Sequence, residues 1–291
     1  MSNKKGLLTG FILVLGLQLR AQYNAKYVET YSQRVGDETY SVVKMSLSDN
    51  HIKVKYFAGK DYNGISVYQR FLEWSRNKNI VACSSGTYMD ECDAAIAKPV
   101  GLCIDNGTLV NNSIKDNLDG LAIVYATGRI ATTDLKVGEL SITNGDGIKE
   151  TLNIRNAFQR NKFIKWAKEN SATVFQTHLF CFKNKLQVFA NASIKKQERR
   201  FLAVGTDEDG ILRHIIVNLS AGNTIYDASV KAVNFLKKDG IEEISFLINL
   251  DTGCQDVFQV LTPTGTVDSR KGFYGKAPIS KGTNLIVYYY E

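Results

Sequence analysis

The sequence predicts an α+β protein, with a mixed β-sheet core of many short strands and hairpins and a few packed helices. Three observations carry this expectation. Short apolar runs alternate with period two along most of the chain, only three stretches show helical spacing, and turn signals punctuate them at close intervals. The composition agrees: 44% hydrophobic residues and only three Pro in 291 residues allow a large core and leave no linker of disordered composition.

The chain opens on what reads as a cleavable secretory leader, residues 1–21. Lys4 and Lys5 form the basic start, Gly6–Leu19 the apolar run, and Ala21 the cleavage site. A bilayer span needs about 20 apolar residues, and Arg20, Gln22 and Asn24 interrupt this run directly. The protein is therefore expected to be secreted or periplasmic, with no stable membrane span after leader cleavage. Residues 22–80 are expected to form a β-hairpin and helix region of the same domain as residues 81–291.

Within that region, Glu38–Met45 and His51–Phe57 alternate with period two around a turn at Ser48–Asn50, which predicts a hairpin. Ser66–Lys78 carries Val67, Phe71, Leu72 and Trp74 at helical spacing and feeds a strand at Asn79–Cys83. That strand ends in the small polar stretch Ser84–Asp90, suited to close approach of a ligand. Asp105–Gly107 marks a hairpin, and short strands continue to about Ile154. A second helix is expected over Arg155–Glu169, followed by a hairpin in Ala172–Val188 that turns at Lys183–Lys185. Phe201–Gly205 and Leu212–Asn218 are strands around the turn Asp207–Gly210. Thr224 caps a third helix, which buries Ile225, Ala228, Ala232 and Leu236 and stops at Gly240 after two Lys. Ile244–Leu250 is a strand buried on both faces that delivers Asp251, Thr252 and Gly253 to its end, a usual place for a ligand site.

Charge and cysteine usage exclude several classes. The formal charge of +7 is spread along the chain and partly belongs to the leader, and no nucleic-acid motif is present, so no nucleic-acid partner is expected. Five Cys, an odd number, include no Cys-x-x-Cys pair; Cys83, Cys181 and Cys254 sit in strand-like contexts suited to burial, while Cys92 and Cys103 flank a loop and are candidates for a bridge. With three scattered His, neither a metal site nor a cofactor is expected. The carboxylates of Asp90, Glu91 and Asp93 form a solvated cluster, with Ca²⁺ as the other reading.

Five stretches, in order, resemble the phosphodiester glycosidase family, whose members include the enzyme that uncovers mannose 6-phosphate. Ala203-Val204-Gly205, the turn Asp207–Gly210, the following strand, the Thr224 helix and Asn249-Leu250-Asp251-Thr252-Gly253 resemble its A-I-G strand, D-x-D-G turn, second strand, helix and N-L-D-G-G loop. Ser85–Asp90 stands where the family has N-G-G-F-F-D, Pro99–Leu102 matches P-x-G-L, and Gln176–Lys185 matches a family hairpin. The resemblance covers about Val81 to Tyr290 and implies a carbohydrate or glycosyl phosphodiester as ligand. The departures fall on polar positions. Phe201 stands where the family has an Arg, Arg200 alternates to the opposite face, and the pocket is expected to lack that cation.

Cleaving a glycosyl phosphodiester needs an activated water and stabilisation of oxocarbenium-like charge. Asp251, held at the end of a buried strand, is the catalytic candidate, although an Asp before Thr-Gly also bonds the amides of its own turn. The resemblance places Gly86, Thr87, Tyr88, His178, Asn249, Thr252 and Gly253 around the substrate. Glycine amides suit a phosphate or a hydroxyl, and the Tyr88 ring suits a sugar face; turn geometry and core packing are the competing readings. Two functions follow: an exported glycan-acting hydrolase with an altered pocket, or a non-catalytic member of the fold that binds surface glycan or another exported protein.

Overall fold

Three side chains that accept their own helix's amides start the helices. Ser66 and Gln69 form a reciprocal capping box, Asn156 accepts from the Gln159 amide, and Thr224 accepts from the Asp227 amide. The computed structural model describes residues 27–47, 51–59, 65–91, 97–137, 140–143, 145–190, 193–253, 256–262, 265–272 and 281–291. The expected leader lies outside the described residues. Among them, no helix is long and apolar enough to cross a membrane.

In chain order the first elements are β1 (Val28–Val35), β2 (Glu38–Ser46), β3 (Ile52–Ala58), α1 (Val67–Ser75) and β4 (Asn79–Ser85). There follow β5 (Cys103–Asp105), β6 (Thr108–Asn111), β7 (Gly120–Val124), β8 (Ile130–Asp134), β9 (Leu140–Thr143), β10 (Lys149–Leu152) and α2 (Ala157–Glu169). The remainder comprises β11 (Thr173–Thr177), β12 (Leu179–Phe182), β13 (Lys185–Leu186), β14 (Gln197–Asp207), β15 (Leu212–Asn223), α3 (Ile225–Lys238), β16 (Ile241–Leu250), β17 (Asp256–Thr262), β18 (Gly265–Gly272) and β19 (Asn284–Tyr290).

These strands make a seven-stranded sheet, β1-β2-β15-β14-β16-β12-β13, two five-stranded sheets, β6-β5-β11-β7-β8 and β18-β17-β4-β19-β3, and the β9-β10 ribbon. Every pairing among the described strands is antiparallel. The three sheets share one core, in which Ile216, Leu202 and Ile248 of the large sheet meet Tyr56, Ala82, Phe258 and Ile286 of one small sheet and Phe175 and Ala122 of the other. Each sheet buries its outer face under one helix: α3 covers the large sheet through Ala228, Ala232 and Leu236, α2 covers β5, β7 and β11 through Phe163 and Ala167, and α1 covers β3, β4 and β19 through Val67 and Phe71. The architecture is thus α+β with a sheet-rich core.

The hairpins follow turn chemistry. Asn106 and Gly107 both have positive φ, 49° and 78°, as do Lys183 and Asn184, 49° and 63°, the condition for a tight two-residue turn between twisted strands. One hairpin differs from expectation. β2 and β3 do not pair: β2 lies between β1 and β15, and β3 pairs with β19 in another sheet. Both strands are too well buried to serve as a two-stranded ribbon, and the hairpin partner of β2 is β1, joined through Gly36 at φ 63°. The turn read at Ser48–Asn50 lies outside the described residues. The run Ala172–Val188 likewise divides, β11 joining a small sheet and β12 the large one, with His178 alone between the two strands. Cys83, Cys103 and Cys181 are buried free thiols, which removes Cys103 from a bridge; Cys92 and Cys254 lie outside the described residues.

Candidate functional site

β16 runs between β14 and β12, and its last residues bring Asp251 to where the three sheets meet. The Asp251 amide donates to the Gly86 carbonyl at 2.7 Å, which ties the end of β16 to the loop after β4. Asp251 is 4% exposed, and its Oδ1 accepts the Gly253 amide at 2.8 Å. Burial raises the Asp251 pKa to about 6; its turn amides and the nearby Arg200 oppose the shift, and Asp256 adds to it. A carboxylate so held is rigid, desolvated and ionised only above mildly acidic pH.

The loop Gly86-Thr87-Tyr88 packs on a polar floor. A side chain at Gly86 would meet Asn284 Oδ1 and Tyr56 Cε2, each at 2.5 Å, so glycine is required by close approach. The Tyr56 hydroxyl donates to Asn284 Oδ1 at 2.8 Å, Asn284 Nδ2 donates to the Thr87 carbonyl at 3.0 Å, and the Thr87 hydroxyl donates to the Gln176 carbonyl at 2.6 Å. Gln176 in turn holds the loop before β7, its amide donating to the carbonyls of Lys115 and Leu118. The hydroxyl of Thr87 is thus used by the scaffold. So is that of Thr252, which donates to the Glu198 carbonyl at 2.8 Å.

Tyr88, His178 and Asn249 gather beside Asp251. Tyr88 and His178 meet edge to face at 5.6 Å, and His178 stacks on Phe180 at 5.7 Å. The Asn249 amide donates to the His178 carbonyl at 3.1 Å, and the Thr177 hydroxyl donates to the Asn249 carbonyl at 3.0 Å. Burial raises the Tyr88 pKa, the Asp251 charge adds to this, and Arg199 opposes it, so the phenol is a neutral donor within electrostatic reach of both charges. Burial lowers the His178 pKa, with Asp119 opposing it and Arg199 and Lys136 reinforcing it. The imidazole is neutral at pH 7.

A buried arginine does lie on the strand face of Phe201. Phe201 pairs with Asn249 in the β14–β16 ladder, and Arg199, two residues earlier, lies on the same strand face. Arg199 is 3% exposed; its Nη2 donates to the Lys195 carbonyl at 2.9 Å and its Nε to the Asn223 carbonyl at 3.4 Å. Arg200, as its alternation required, points the other way. Its Nη2 donates to Asp256 Oδ1 at 2.7 Å, its Nε to Asn218 Oδ1 at 3.1 Å, and its Nη1 to the carbonyls of Val257 and Asp251 at 3.1 and 3.4 Å. Sequence reasoning missed Arg199, and with it Asp119 and Lys136, which are joined to each other at 2.9 Å beside His178. The period-two alternation with Phe201 was the signal for Arg199; Asp119 and Lys136 had none.

Asp90 stands apart from this group. Its Oδ1 accepts the amides of Glu91 and Lys98 at 3.1 and 2.9 Å, closing its own loop, and Asp93 lies outside the described residues.

No family model matches the chain, and no curated protein matches it. Solved structures do. The catalytic domain of zebrafish N-acetylglucosamine-1-phosphodiester alpha-N-acetylglucosaminidase, auto-inhibited by its pro-peptide, is similar with a TM-score of 0.52 at 13% identity, over 91% of this chain and 83% of that one. A hypothetical protein from Synechocystis is similar with a TM-score of 0.49 at 10% identity, over 91% of this chain and 62% of that one. At such identities the first likeness is one of fold, and the chain has the fold of a glycosidase catalytic domain in outline.

Proposed function

We propose that this protein is an exported glycan-acting hydrolase that cleaves a glycosyl phosphodiester, with Asp251 as its catalytic carboxylate. The observation that carries the reading is Asp251 itself: buried at a rigid strand end, raised to a pKa of about 6, and grouped with Tyr88, His178 and Asn249. Asp251 is held by the turn amides of Thr252 and Gly253 and has no salt bridge among the described residues, the kind of desolvated setting in which active sites raise a carboxylate's pKa. Above pH 6 the ionised Asp251 takes the proton of an attacking water or stabilises the positive charge that grows at the anomeric carbon. Tyr88, a neutral phenol, donates to the departing oxygen, and the Tyr88 and His178 rings hold the sugar. Gly86 and Gly253 keep the backbone close to the ligand. A phosphate leaving group needs little protonation, which fits a site with one principal carboxylate.

The test is release of free sugar from a panel of synthetic glycosyl phosphodiesters. The wild type is expected to turn over at least one member, with kcat/KM rising with pH through about 6 as Asp251 ionises. Asp251→Asn is expected to lose roughly 10²–10⁴-fold, the usual contribution of a positioned acid or base. Equal activity in that variant removes Asp251 from catalysis. Saturable glycan binding without turnover supports the non-catalytic alternative.

A further inference from the structure

Glu38 is a buried carboxylate that the proposed reaction does not use. It is the first residue of β2, is 3% exposed, and meets Asn223, the last residue of β15, and Lys231 of α3. Glu38 Oε2 accepts the Asn223 side-chain amide at 2.5 Å and the Lys231 ammonium at 3.3 Å, and the same ammonium donates to Asn223 Oδ1 at 2.6 Å. The three groups form a closed triangle: an amine nitrogen against a carboxamide oxygen, and one carboxylate oxygen touching both nitrogens. The orientation of the carboxamide is set by its neighbours, since turning it over puts its N–H groups against the ammonium and its oxygen against the carboxylate. The other pair between β2 and the end of α3, Lys44 with Asp239 at 2.9 Å, has no carboxamide on the lysine nitrogen.

This is the arrangement in which a lysine acylates itself. Asn223 is 4% exposed, so water competes little for its side-chain carbonyl carbon. The Lys231 nitrogen, 2.6 Å from the oxygen of a C=O bond about 1.2 Å long, lies no more than about 3.8 Å from that carbon. An attacking contact begins at about 3–3.5 Å, and the Lys231 side chain, 44% exposed, has room to swing over the carbon. We propose that Lys231 and Asn223 join in an intramolecular isopeptide bond, with Glu38 as the proton carrier. Glu38 takes a proton from the ammonium, and the freed amine lone pair forms a bond to Asn223 Cγ. Glu38 hands that proton to Nδ2 and relays a second one from Nζ. The Cγ–Nδ2 bond then breaks with its electron pair on nitrogen, and ammonium leaves. Glu38 ends as the carboxylate it began, no oxidant or reductant is consumed, and the chain loses one positive charge. The bond ties α3 to the strand before it in a fold whose described cysteines are all free thiols.

The experiment is mass spectrometry of the purified full chain, intact and after denaturation and trypsin digestion. The intact wild type is expected to be lighter by one ammonia. Trypsin does not cut after an acylated lysine, so residues His214–Lys237 are expected as one peptide, also lighter by one ammonia and without fragment ions from between Asn223 and Lys231. Lys231→Arg and Glu38→Gln are each expected to show the full mass and ordinary cleavage after residue 231. Circular dichroism confirms the fold of each variant; if Glu38→Gln does not fold, Lys231→Arg, at a half-exposed position, carries the test. A wild type that keeps its full mass overturns the proposal and leaves the triangle an ion pair only. Loss of ammonia that persists in Lys231→Arg also overturns it, since cyclisation of Asn223 on its own backbone gives the same mass without the lysine. A bond that forms undiminished in a folded Glu38→Gln removes Glu38 from the chemistry and overturns the mechanism.

Discussion

Asp251→Asn removes a buried charge while keeping the Oδ1 that accepts the Gly253 amide at 2.8 Å. In the folded protein burial lifts the carboxyl from 3.8 to about 6. About two pH units at about 1.4 kcal/mol each put the cost of ionising Asp251 in place at about 3 kcal/mol. The sign follows from proton counting. Between about pH 4 and 6 the folded chain holds a proton that the unfolded chain has released, so stability falls as pH rises and the full cost is present above pH 6. Asn never ionises. The variant is therefore expected to match the wild type near pH 4 and to be about 3 kcal/mol more stable at pH 7, a gain of roughly 5–10 °C in melting temperature for a chain of this size. Urea unfolding of both proteins in half-unit steps from pH 4 to 7.5 measures it, and the difference cancels the titrating groups that do not touch Asp251. A difference that does not change with pH, or an Asn variant less stable at pH 7, refutes the reasoning. Gain of stability with loss of turnover in one substitution is the mark of a group kept for its reactivity.

Three further outcomes follow from buried groups elsewhere. Arg200→Met strands the Asp256 carboxylate and the Asn218 acceptor, and is expected to cost about 3–5 kcal/mol in urea unfolding; adding Asp256→Asn recovers part of the loss. Gly86→Ala drives a methyl against Tyr56 and Asn284 and is expected to lower stability by about 1–3 kcal/mol in the same assay. His214 is fully buried, bonded to the Tyr288 hydroxyl at 3.1 Å, and burial lowers its pKa to about 3. The unfolded chain therefore takes up a proton below about pH 6.5 that the fold refuses. This stability is complete above that pH and is lost as pH falls towards 3, by at most about 5 kcal/mol. His214→Gln is expected to flatten that part of the stability profile.

The helices were legible because their signals are local. Ser66, Asn156 and Thr224 cap within three residues of themselves, and Asn106-Gly107 and Lys183-Asn184 need no distant partner to turn. Sheet membership was not legible in this way. The alternation in Glu38–Met45 and His51–Phe57 says that each run is a strand, but which strand it pairs with is settled by a core that also includes Ile286 and Phe258, far along the chain. The same limit applies to the site. Asp251 and Gly86 stood out because each follows a buried strand, and the structure joins them by one backbone hydrogen bond. Asp119 and Lys136 reach His178 only because the chain changes sheets at that residue, which no local pattern announces.

Adjacent arginines on β14 show how one strand supplies both the frame and the chemistry. Alternation turns Arg200 inward, where it grips Ser84, Val257 and Asp256 from the neighbouring sheet and the Asp251 carbonyl from its own. It turns Arg199 outward with Phe201, towards Tyr88 and His178. The inward residue has a carboxylate and the outward one has none. Two residues along a strand return to the same side about 7 Å away, so Arg199 shares the face of Phe201 while Arg200 takes the other.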